Sequence, residues 1–328
     1  MTLTTHHLEF TASATTPLEL DDQAGGAIRG ALVGGLWERF CANRAAPSCA
    51  ACPLLRVCPV AALIAPMRDD GESGGEQRPR PYTVRPPLGG GRRYAAAERF
   101  GFGLTLIGQA AQLFPYVVMA AQAVEQTGLG RRMGANGGRR GGLQIEAIAA
   151  VDPLAGTQAP LYTRGRPQVH APGLPIDAAA VAAYAASLPA DRLTLHFRSP
   201  LRLTEKRDGQ TRLVRRFDPR PFFARLAWRL DELARAYGDE PYPADHRELL
   251  AFAEAVRVAD DQTRWVDVVS YSSRTRSRTP IGGLIGHVTL EGSLAPLREL
   301  LVWGSLIHVG KNAVKGDGYY TILAGSGG

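Results

Sequence analysis

The sequence predicts an α+β protein made of two tandem ferredoxin-like domains (βαββαβ, RRM-like), with a cysteine-rich insert in the first. The main observation is that the order of strand-like and helix-like segments in the first half recurs in the second. With 328 residues, 45% of them hydrophobic, the chain is also long enough for two domains. The predicted boundaries are 1–154 for the N-terminal domain, 155–190 for a linker rich in Pro, Ala and Gly, and 191–328 for the C-terminal domain.

The first half begins with TLTTHHLEFTA, whose alternation of apolar and polar residues predicts a strand. A helix follows, because Ile28, Leu32 and Leu36 recur at helical spacing in IRGALVGGLWERFC. The cysteine-rich insert occupies about 41–81. Two extended segments (TVRPP and FGFGLTLIG), a helix around 114–126 and the strand GLQIEAIAAV complete a βαββαβ order.

The second half begins with the predicted strand RLTLHFRSPLRL. Asp218 then caps a helix that has Pro219 in its first turn, and Phe222 and Leu226 belong to its apolar side. WVDVVSYSS and LIGHVTLEG are the next two predicted strands, followed by a helix over 293–303 and the last strand, YYTIL. The same βαββαβ order results.

The overall charge indicates the class of partner. A net charge of +7 and a pI near 9.5 favour a polyanion such as nucleic acid. No signal peptide is evident, so the predicted location is cytoplasmic. The segment from Phe100 to Val124 carries no charge, but its glutamines and its central Pro115 favour a strand followed by a helix. We therefore expect no association with a membrane.

The segment HVGKNAVKGDGYY, residues 308–320, is the most distinctive motif. The protein has only three lysines against 35 arginines, and two of the three, Lys311 and Lys315, lie here. Gly310, Gly316 and Gly318 allow the backbone to approach a ligand closely and to point successive N–H groups at it. The spacing differs from that of a nucleotide-triphosphate loop. The alternative is a tight helix-to-strand turn with solvated lysines.

Several segments together resemble a known family. PIGGLIGHVTLEG followed by LIHVGKNAVKGDGYYTI is similar to the C-terminal signature of the CRISPR precursor-RNA processing endoribonucleases of the RAMP superfamily. LTLHFRSPLRL and FFARLAWRLDEL resemble the start of the second domain of that family, whereas AIRGALVGGLWERFC, CPLLRVCP and TGLGRRMGANGGRRGGLQIEAI resemble its first domain. The resemblance implies binding of a CRISPR repeat hairpin (crRNA) and a single cut at its base.

The resemblance also implies the chemistry of cleavage. The 2′-hydroxyl attacks the adjacent phosphate without a metal and leaves a 2′,3′-cyclic phosphate and a 5′-hydroxyl, which requires a base, an acid and cations. We assign Lys311 as phosphate ligand, Arg29 as second cation, and His308 or His7 as proton-transfer candidates, although either histidine could instead be structural. The first helix lacks the histidine that the family often has there, so the alternative is a non-catalytic crRNA-binding subunit of a CRISPR effector complex.

Clusters of arginine are the predicted RNA-binding elements. They occur in a glycine-rich loop, in a basic hairpin or loop before the second-domain helix, and at period two in SRTRSRTP. With the glycine-rich segment, the predicted RNA-binding residues are Arg131, Arg132, Arg139, Arg140, Arg212, Arg215, Arg216, Arg274, Arg276, Arg278, Gly310, Lys315, Gly316 and Gly318. Arginine-rich loops around a cleft between two sheets would suit hairpin RNA, which proteins recognise mainly by shape and backbone. Other subunits of a CRISPR effector complex are further expected partners.

All four cysteines fall within eighteen positions, in the pattern C-x7-C-x2-C-x5-C. In a cytoplasmic protein such clustering favours a metal over disulfides. Cys41, Cys49, Cys52 and Cys58 are the predicted ligands of a structural Zn²⁺, with an iron–sulfur cluster or no metal as alternatives. Cys41 could instead be a buried residue at the end of its helix.

Overall fold

The computed structural model describes residues 2–68, 77–207, 209–272 and 277–323. The chain divides into two compact units. The N-terminal unit comprises Thr4–Pro175 with Ala236–Gly238, and the C-terminal unit comprises the rest of the chain from Ile176 onwards together with the segment before Thr4. None of the helices within the described ranges is both long and apolar enough to cross a membrane.

The N-terminal unit contains a five-stranded antiparallel sheet. The strands of the whole unit are β1 (Thr5–Ala14), β2 (Leu18–Leu20), β3 (Tyr82–Arg85), β4 (Arg92–Tyr94), β5 (Arg99–Ile107), β6 (Leu129–Met133), β7 (Arg139–Gly141), β8 (Leu143–Asp152) and β9 (Thr157–Thr163). The helices of the unit are α1 (Ala24–Phe40), α2 (Pro59–Ile64) and α3 (Phe114–Thr127). The sheet order is β3-β5-β1-β8-β9, while β2 pairs with β4 and β6 with β7. Without the edge strand β9, this is the ferredoxin-like order that the sequence predicts.

Two close contacts explain why these residues form the N-terminal core. Phe10 of β1 stacks on Phe102 of β5 with ring centroids 4.7 Å apart, on the buried face of the sheet. Helices α1 and α3 approach each other at Gly35, where an added Cβ would lie 2.7 Å from the carbonyl oxygen of Ala120. Glycine at this position therefore allows the two helix backbones to approach closely.

The C-terminal unit contains a second ferredoxin-like sheet of four strands in the order β13-β16-β10-β17. The strands of the whole unit are β10 (Arg192–Leu201), β11 (Thr204–Arg207), β12 (Gln210–Leu213), β13 (Arg257–Val266), β14 (Val269–Ser272), β15 (Ser277–Pro280), β16 (Gly283–Glu291) and β17 (Tyr320–Leu323). The helices of the unit are α4 (Ala178–Ser187), α5 (Pro219–Tyr237), α6 (His246–Ala255) and α7 (Arg298–Ile307). The pairs β11–β12 and β14–β15 form separate hairpins. Helix α6 was not predicted from the sequence.

One face of the C-terminal sheet carries the core of that unit. Leu193, Leu195 and Phe197 alternate along β10 and are buried. Phe222 of α5 packs against them, with ring centroids 5.9 Å from Phe197 and 5.8 Å from Tyr320 of β17. The opposite face of β10 is polar, so the strand separates an apolar side from a hydrophilic one.

The boundary between the units, at Pro175 and Ile176, falls within the predicted linker, 155–190. Most of that range nevertheless belongs to the units themselves. It contains β9, which adds a fifth strand to the N-terminal sheet, and α4, which packs against α7 of the C-terminal unit. Ala-rich α4 is capped at Asp177, which accepts a hydrogen bond from the N–H of Ala180 at 2.9 Å.

Candidate nucleic-acid interface

The glycine-rich loop, defined here as residues 308–318, begins where α7 ends. Its start is fixed by Arg229 of α5, a buried arginine whose Nε and Nη2 donate to the carbonyl oxygens of Ile307 and His308 at 3.0–3.1 Å. Burial lowers the pKa of Arg229 to about 10, so this side chain remains a cation at neutral pH. A cation at the C-terminal end of a helix is favourable because the last carbonyl groups lack intrahelical partners.

Glycine is required in this loop by the chain's own backbone. Gly310 and Gly318 have φ values of +87° and +70°, which side chains rarely adopt. A Cβ on Gly318 would lie 1.7 Å from the carbonyl oxygen of Val309, and one on Gly310 would lie 2.7 Å from that of Arg202. The loop is therefore pressed against the segment that follows β10.

The backbone amides of the loop already have acceptors within the chain. The N–H groups of Lys311 and Gly318 donate to the carbonyls of Arg202 and Pro200, both at 3.0 Å, and those of Lys315 and Gly316 donate to Asn312 and Ala313 at 2.7 and 3.0 Å. The prediction that successive N–H groups point at a ligand is therefore wrong for these four. What the loop offers to solvent is instead the exposed side chain of Lys311.

A buried carboxyl group, Asp317, lies inside the same loop. Burial raises its pKa to about 8, and a hydrogen bond from Asn312 with the charges of Lys315 and Arg202 opposes that rise only in part. Its Oδ2 atom has no hydrogen-bond partner in the described part of the chain. Near neutral pH this side chain is therefore largely an uncharged acid.

The two histidines proposed for proton transfer are poorly placed for it. His308 is 2% exposed, and its ring lies 5.2 Å from that of Tyr319. His7, on β1, has both ring nitrogens within hydrogen-bond distance of threonine hydroxyls, at 3.0 Å from Thr105 and 3.2 Å from Thr5. Burial, assisted by the nearby charge of Arg85, lowers the pKa of His7 to about 3. A general base must reach the proton it removes, and this geometry favours structural roles for both residues.

Arg29 belongs to a cationic cluster of the N-terminal unit. Its Nε donates to the hydroxyl of Tyr82 at 3.2 Å. Burial lowers the pKa of Arg80, and the charge of Arg29 lowers it further, so the two guanidinium groups are neighbours. Sequence reasoning missed Arg80, because its partner in the cluster lies on α1, far away along the chain. Of the four proposed catalytic residues, Arg29 and His7 belong to the N-terminal unit and His308 and Lys311 to the C-terminal unit.

The first arginine cluster forms a β-hairpin in place of the predicted loop. Strands β6 and β7 pair with Arg132 opposite Arg140, and the turn between them contains Gly137 and Gly138 at positive φ. Arg131, Arg132, Arg139 and Arg140 are all exposed. Arg131 forms an ion pair of 3.2 Å with Glu19, so part of its charge is already balanced.

The second cluster forms the predicted basic hairpin from β11 and β12, with Arg212 opposite Glu205. Arg212, Arg215 and Arg216 are exposed. The guanidinium of Arg215 lies 4.6 Å from the ring centroid of Trp265, an indole on β13 that sequence reasoning did not single out. In SRTRSRTP, only Arg278, exposed on β15, lies within the described residues, whereas Arg274 and Arg276 lie outside them.

The four cysteines lie between α1 and α2. Cys41 ends α1, Cys58 precedes α2, and the N–H of Cys52 donates to the carbonyl of Cys49 at 3.1 Å. Burial raises the pKa of Cys49, and the nearby Cys58, Cys41 and Cys52 raise it further. None of them forms a disulfide. Among the described residues, however, no three His, Cys, Asp or Glu side chains are arranged to hold a metal ion, so this geometry does not support the predicted zinc site.

One pair of side chains on the C-terminal sheet was missed by sequence reasoning. His196 of β10 stands directly opposite His287 of β16, and the two rings stack with centroids 3.8 Å apart. No signal in the sequence links residues 91 positions apart; only the strand register brings them together.

Comparisons with known proteins agree with this architecture. The family model of the CRISPR-associated endoribonuclease Cas6 matches residues 195–320, and an N-terminal domain model, AF_1859_N, matches residues 3–174. No curated protein sequence matches the chain.

Solved structures show the same fold at low identity. A Cas6 product complex has a TM-score of 0.57 at 16% identity over 97% of this chain and 100% of its own. Thermus thermophilus Cas6 has a TM-score of 0.51 at 15% identity over 98% of this chain and 100% of its own. A chain of a partial Cas6-RT-Cas1–Cas2 complex has a TM-score of 0.63 at 12% identity, over 99% of this chain and 47% of its own. The AF_1859_N model covers just over half of the chain, so the chain belongs to the family of that N-terminal domain, and its residues 195–320 match the Cas6 endoribonuclease family model.

Proposed function

We propose that this protein is a metal-independent endoribonuclease that binds a CRISPR repeat hairpin and cuts the precursor RNA at its base. The observation that carries the proposal is the exposed Lys311 on the glycine-rich loop, inside the segment that matches the Cas6 endoribonuclease family. The loop is held against the C-terminal unit by hydrogen bonds and by the buried Arg229, so the ammonium group projects from a rigid support. Rigid support is what phosphate positioning requires.

The proposed reaction is attack of a 2′-hydroxyl on the adjacent phosphate, which yields a 2′,3′-cyclic phosphate and releases a 5′-hydroxyl. The negative charge that develops on the phosphorane would be stabilised by Lys311, and the assignment of Arg29 as second cation stays a prediction from the sequence. His308 is buried and the pKa of His7 is lowered to about 3, so most of the rate would come from positioning and charge stabilisation and less from proton transfer. The product would remain bound as the mature crRNA.

The basic hairpins would hold the RNA. Arg139 and Arg140 on β7 and Arg212, Arg215 and Arg216 around β12 are exposed cations on short antiparallel supports. Side chains placed in this way contact phosphates and fix the register of a duplex without reading its sequence. Charge removal at any one of them is therefore expected to weaken binding modestly.

The test is incubation of the protein with repeat RNA transcribed from its own CRISPR array, in the presence of EDTA. A single cut at the base of the hairpin with a cyclic-phosphate end, detected by mass spectrometry, supports the proposal. Lys311→Ala should slow this cut strongly, whereas Lys311→Arg should preserve most of it, because the charge is retained. A cut that requires added divalent cation, or a Lys311→Ala variant with full activity, would contradict the proposal.

A second candidate function is a non-catalytic subunit that caps the crRNA hairpin in an effector complex. It is favoured by one observation, namely that α1 contains no histidine. Tight binding of the repeat RNA without any cut would select this candidate. In both cases we propose that other CRISPR proteins associate with the chain, since a similar Cas6 domain occurs in a Cas6-RT-Cas1–Cas2 complex.

A further inference from the structure

The stacked histidine pair occupies the centre of the polar face of the C-terminal sheet. His196 and His287 lie on β10 and β16, the two middle strands of the order β13-β16-β10-β17. Their rings are 3.8 Å apart between centroids and inclined by 24°, and both side chains are half-buried. Because the rings stack on each other, each covers one face of the other and leaves its second face for a further partner, on the side of the sheet opposite the apolar core.

The surroundings of the pair are hydrophilic and carry excess positive charge. Gln262 and Thr321 flank it in the same cross-strand row. The charged residues whose register places them on this face are Arg192, Arg198, Arg257, Arg264, Asp260 and Glu291. Four arginines thus face two carboxylates. Glu291 pairs with Arg192 and Arg257, and Asp260 accepts a hydrogen bond from Gln262 at 2.8 Å, so Arg198, Arg264 and Asp260 are the charged residues nearest the row of the histidines.

Arg198 is the cation closest to the stack. Its Nη1 lies 3.4 Å from Nδ1 of His196, and its side chain is exposed. Burial lowers the pKa of His196, and the neighbouring charges of His287 and Arg198 lower it further, which favours the neutral form of this ring. The arrangement is an aromatic surface with a guanidinium at its edge, which is the combination that binds a nucleobase and its phosphate.

The backbone beside the pair is adapted to present it. Gly286 precedes His287 with a φ of +112°, and a Cβ there would lie 2.5 Å from the carbonyl oxygen of Gln262. A positive φ in a central strand is unusual and indicates a local distortion of the kind that redirects a side chain.

We propose that His196 and His287 form a platform on which unpaired bases of bound RNA stack, with Arg198 holding an adjacent phosphate. The proposal rests on the proposed function for its ligand class, RNA, and adds a binding site for the single-stranded part of it. Stacking tolerates different bases because each has an aromatic face, so the platform would guide the strand without reading its sequence.

The test is fluorescence anisotropy with a fluorescein-labelled ten-nucleotide oligoadenylate. We expect the double variant His196→Ala with His287→Ala to weaken binding by about tenfold or more, the loss typical for one stacked base. The variant His196→Phe with His287→Phe retains aromatic surface and should bind within about threefold of the native protein. The matched control is Thr194→Val with Thr289→Val, a cross-strand pair on the same face whose hydroxyls bond each other at 2.9 Å, which should leave binding unchanged.

Three outcomes would overturn the platform: no binding of the oligonucleotide by the native protein, native affinity in the alanine variant, or equal weakening in the phenylalanine variant. Thermal denaturation of each variant separates loss of binding from loss of fold. Cleavage of a repeat hairpin without single-stranded flanks is measured in parallel. Histidine-dependent binding without cleavage keeps the platform and refutes the endonuclease, whereas cleavage with histidine-independent binding refutes the platform alone.

Discussion

Asp317→Asn is expected to stabilise the C-terminal unit at neutral and alkaline pH. The carboxyl group of Asp317 is 6% exposed within the glycine-rich loop, and its pKa is raised to about 8 from an ordinary value of 3.8, mainly by burial. Because the folded pKa is the higher one, the folded state binds the proton more tightly than the unfolded state. The stability associated with this group is therefore greatest below pH 3.8 and is lost as pH rises towards 8.

The size of the effect follows from the pKa difference. At pH 7 the unfolded carboxyl is ionised, and keeping it protonated in the fold costs about 1.4 kcal/mol for each of the 3.2 pH units above 3.8, or about 4 kcal/mol. Asparagine removes this cost of protonation and keeps the shape of the side chain. Its buried amide donors reduce the gain in stability by about 1–3 kcal/mol if they find no acceptor. A net stabilisation of about 1–3 kcal/mol at pH 7 is the expected result.

The measurement is urea denaturation of the native protein and of the variant at several pH values between 4 and 9. The advantage of the variant should vanish near pH 4 and grow as pH rises. The exposed Asp267, replaced by asparagine in the same unit, provides a control that should show no such pH-dependent gain. A variant that is no more stable than the native protein at pH 8, or whose advantage is independent of pH, would refute the assignment of a protonated acid at this position.

Four further predictions concern other features. Lys311→Ala should reduce the rate of repeat-RNA cleavage about 10²- to 10³-fold in single-turnover assays, the loss typical of one transition-state donor; a change of less than about threefold would exclude it as phosphate ligand. Gly318→Ala should destabilise the fold by about 3 kcal/mol or more in urea denaturation, since φ is +70° and a Cβ would overlap a carbonyl oxygen. The control Gly209→Ala, at a site with φ +75° and open space, should destabilise the fold by only about 1 kcal/mol. Equal losses of stability in the two variants would contradict the steric argument. The imidazole of His7 should not titrate between pH 5 and 8 in NMR spectra. The stability of the protein should fall as pH drops below 6.5, because the imidazole takes up a proton in the unfolded state. An NMR titration midpoint near pH 6.5 for His7 would refute its desolvation. Zinc on the cysteines stays a prediction: elemental analysis should find about one zinc per chain in the native protein and less after Cys49→Ser, and metal-free native protein would contradict it.

Local pattern was sufficient for the elements whose periodicity is regular. The alternation in β10 and the cap of α5 by Asp218, which accepts from the N–H of Arg220 at 3.0 Å, are both found as predicted. Local pattern failed where a segment depends on distant partners. The Ala-rich stretch containing α4 resembled a linker because its helix is stabilised by packing on α7, a contact that is not encoded nearby.

The candidate site was predictable in kind but not in detail. The concentration of two lysines and three glycines in one segment identified the loop around Lys311. The burial of His308 and Asp317 could not be predicted, because it results from packing against segments about a hundred residues earlier, such as the one at Arg202. The histidine pair was hidden for the same reason, since register is set by the whole sheet.

The internal hydrogen bonding of the glycine-rich loop has a consequence for how affinity would respond to ionic strength. Because the amides of Lys311, Lys315, Gly316 and Gly318 already donate to carbonyls, little of the backbone remains to solvate an anion. An RNA phosphate would then be held by ammonium and guanidinium groups, and each such contact releases a condensed counterion. Binding would weaken steeply as salt is added, by a logarithmic slope of roughly 0.7–0.9 per contact, so the number of cations engaged could be counted from a salt titration alone.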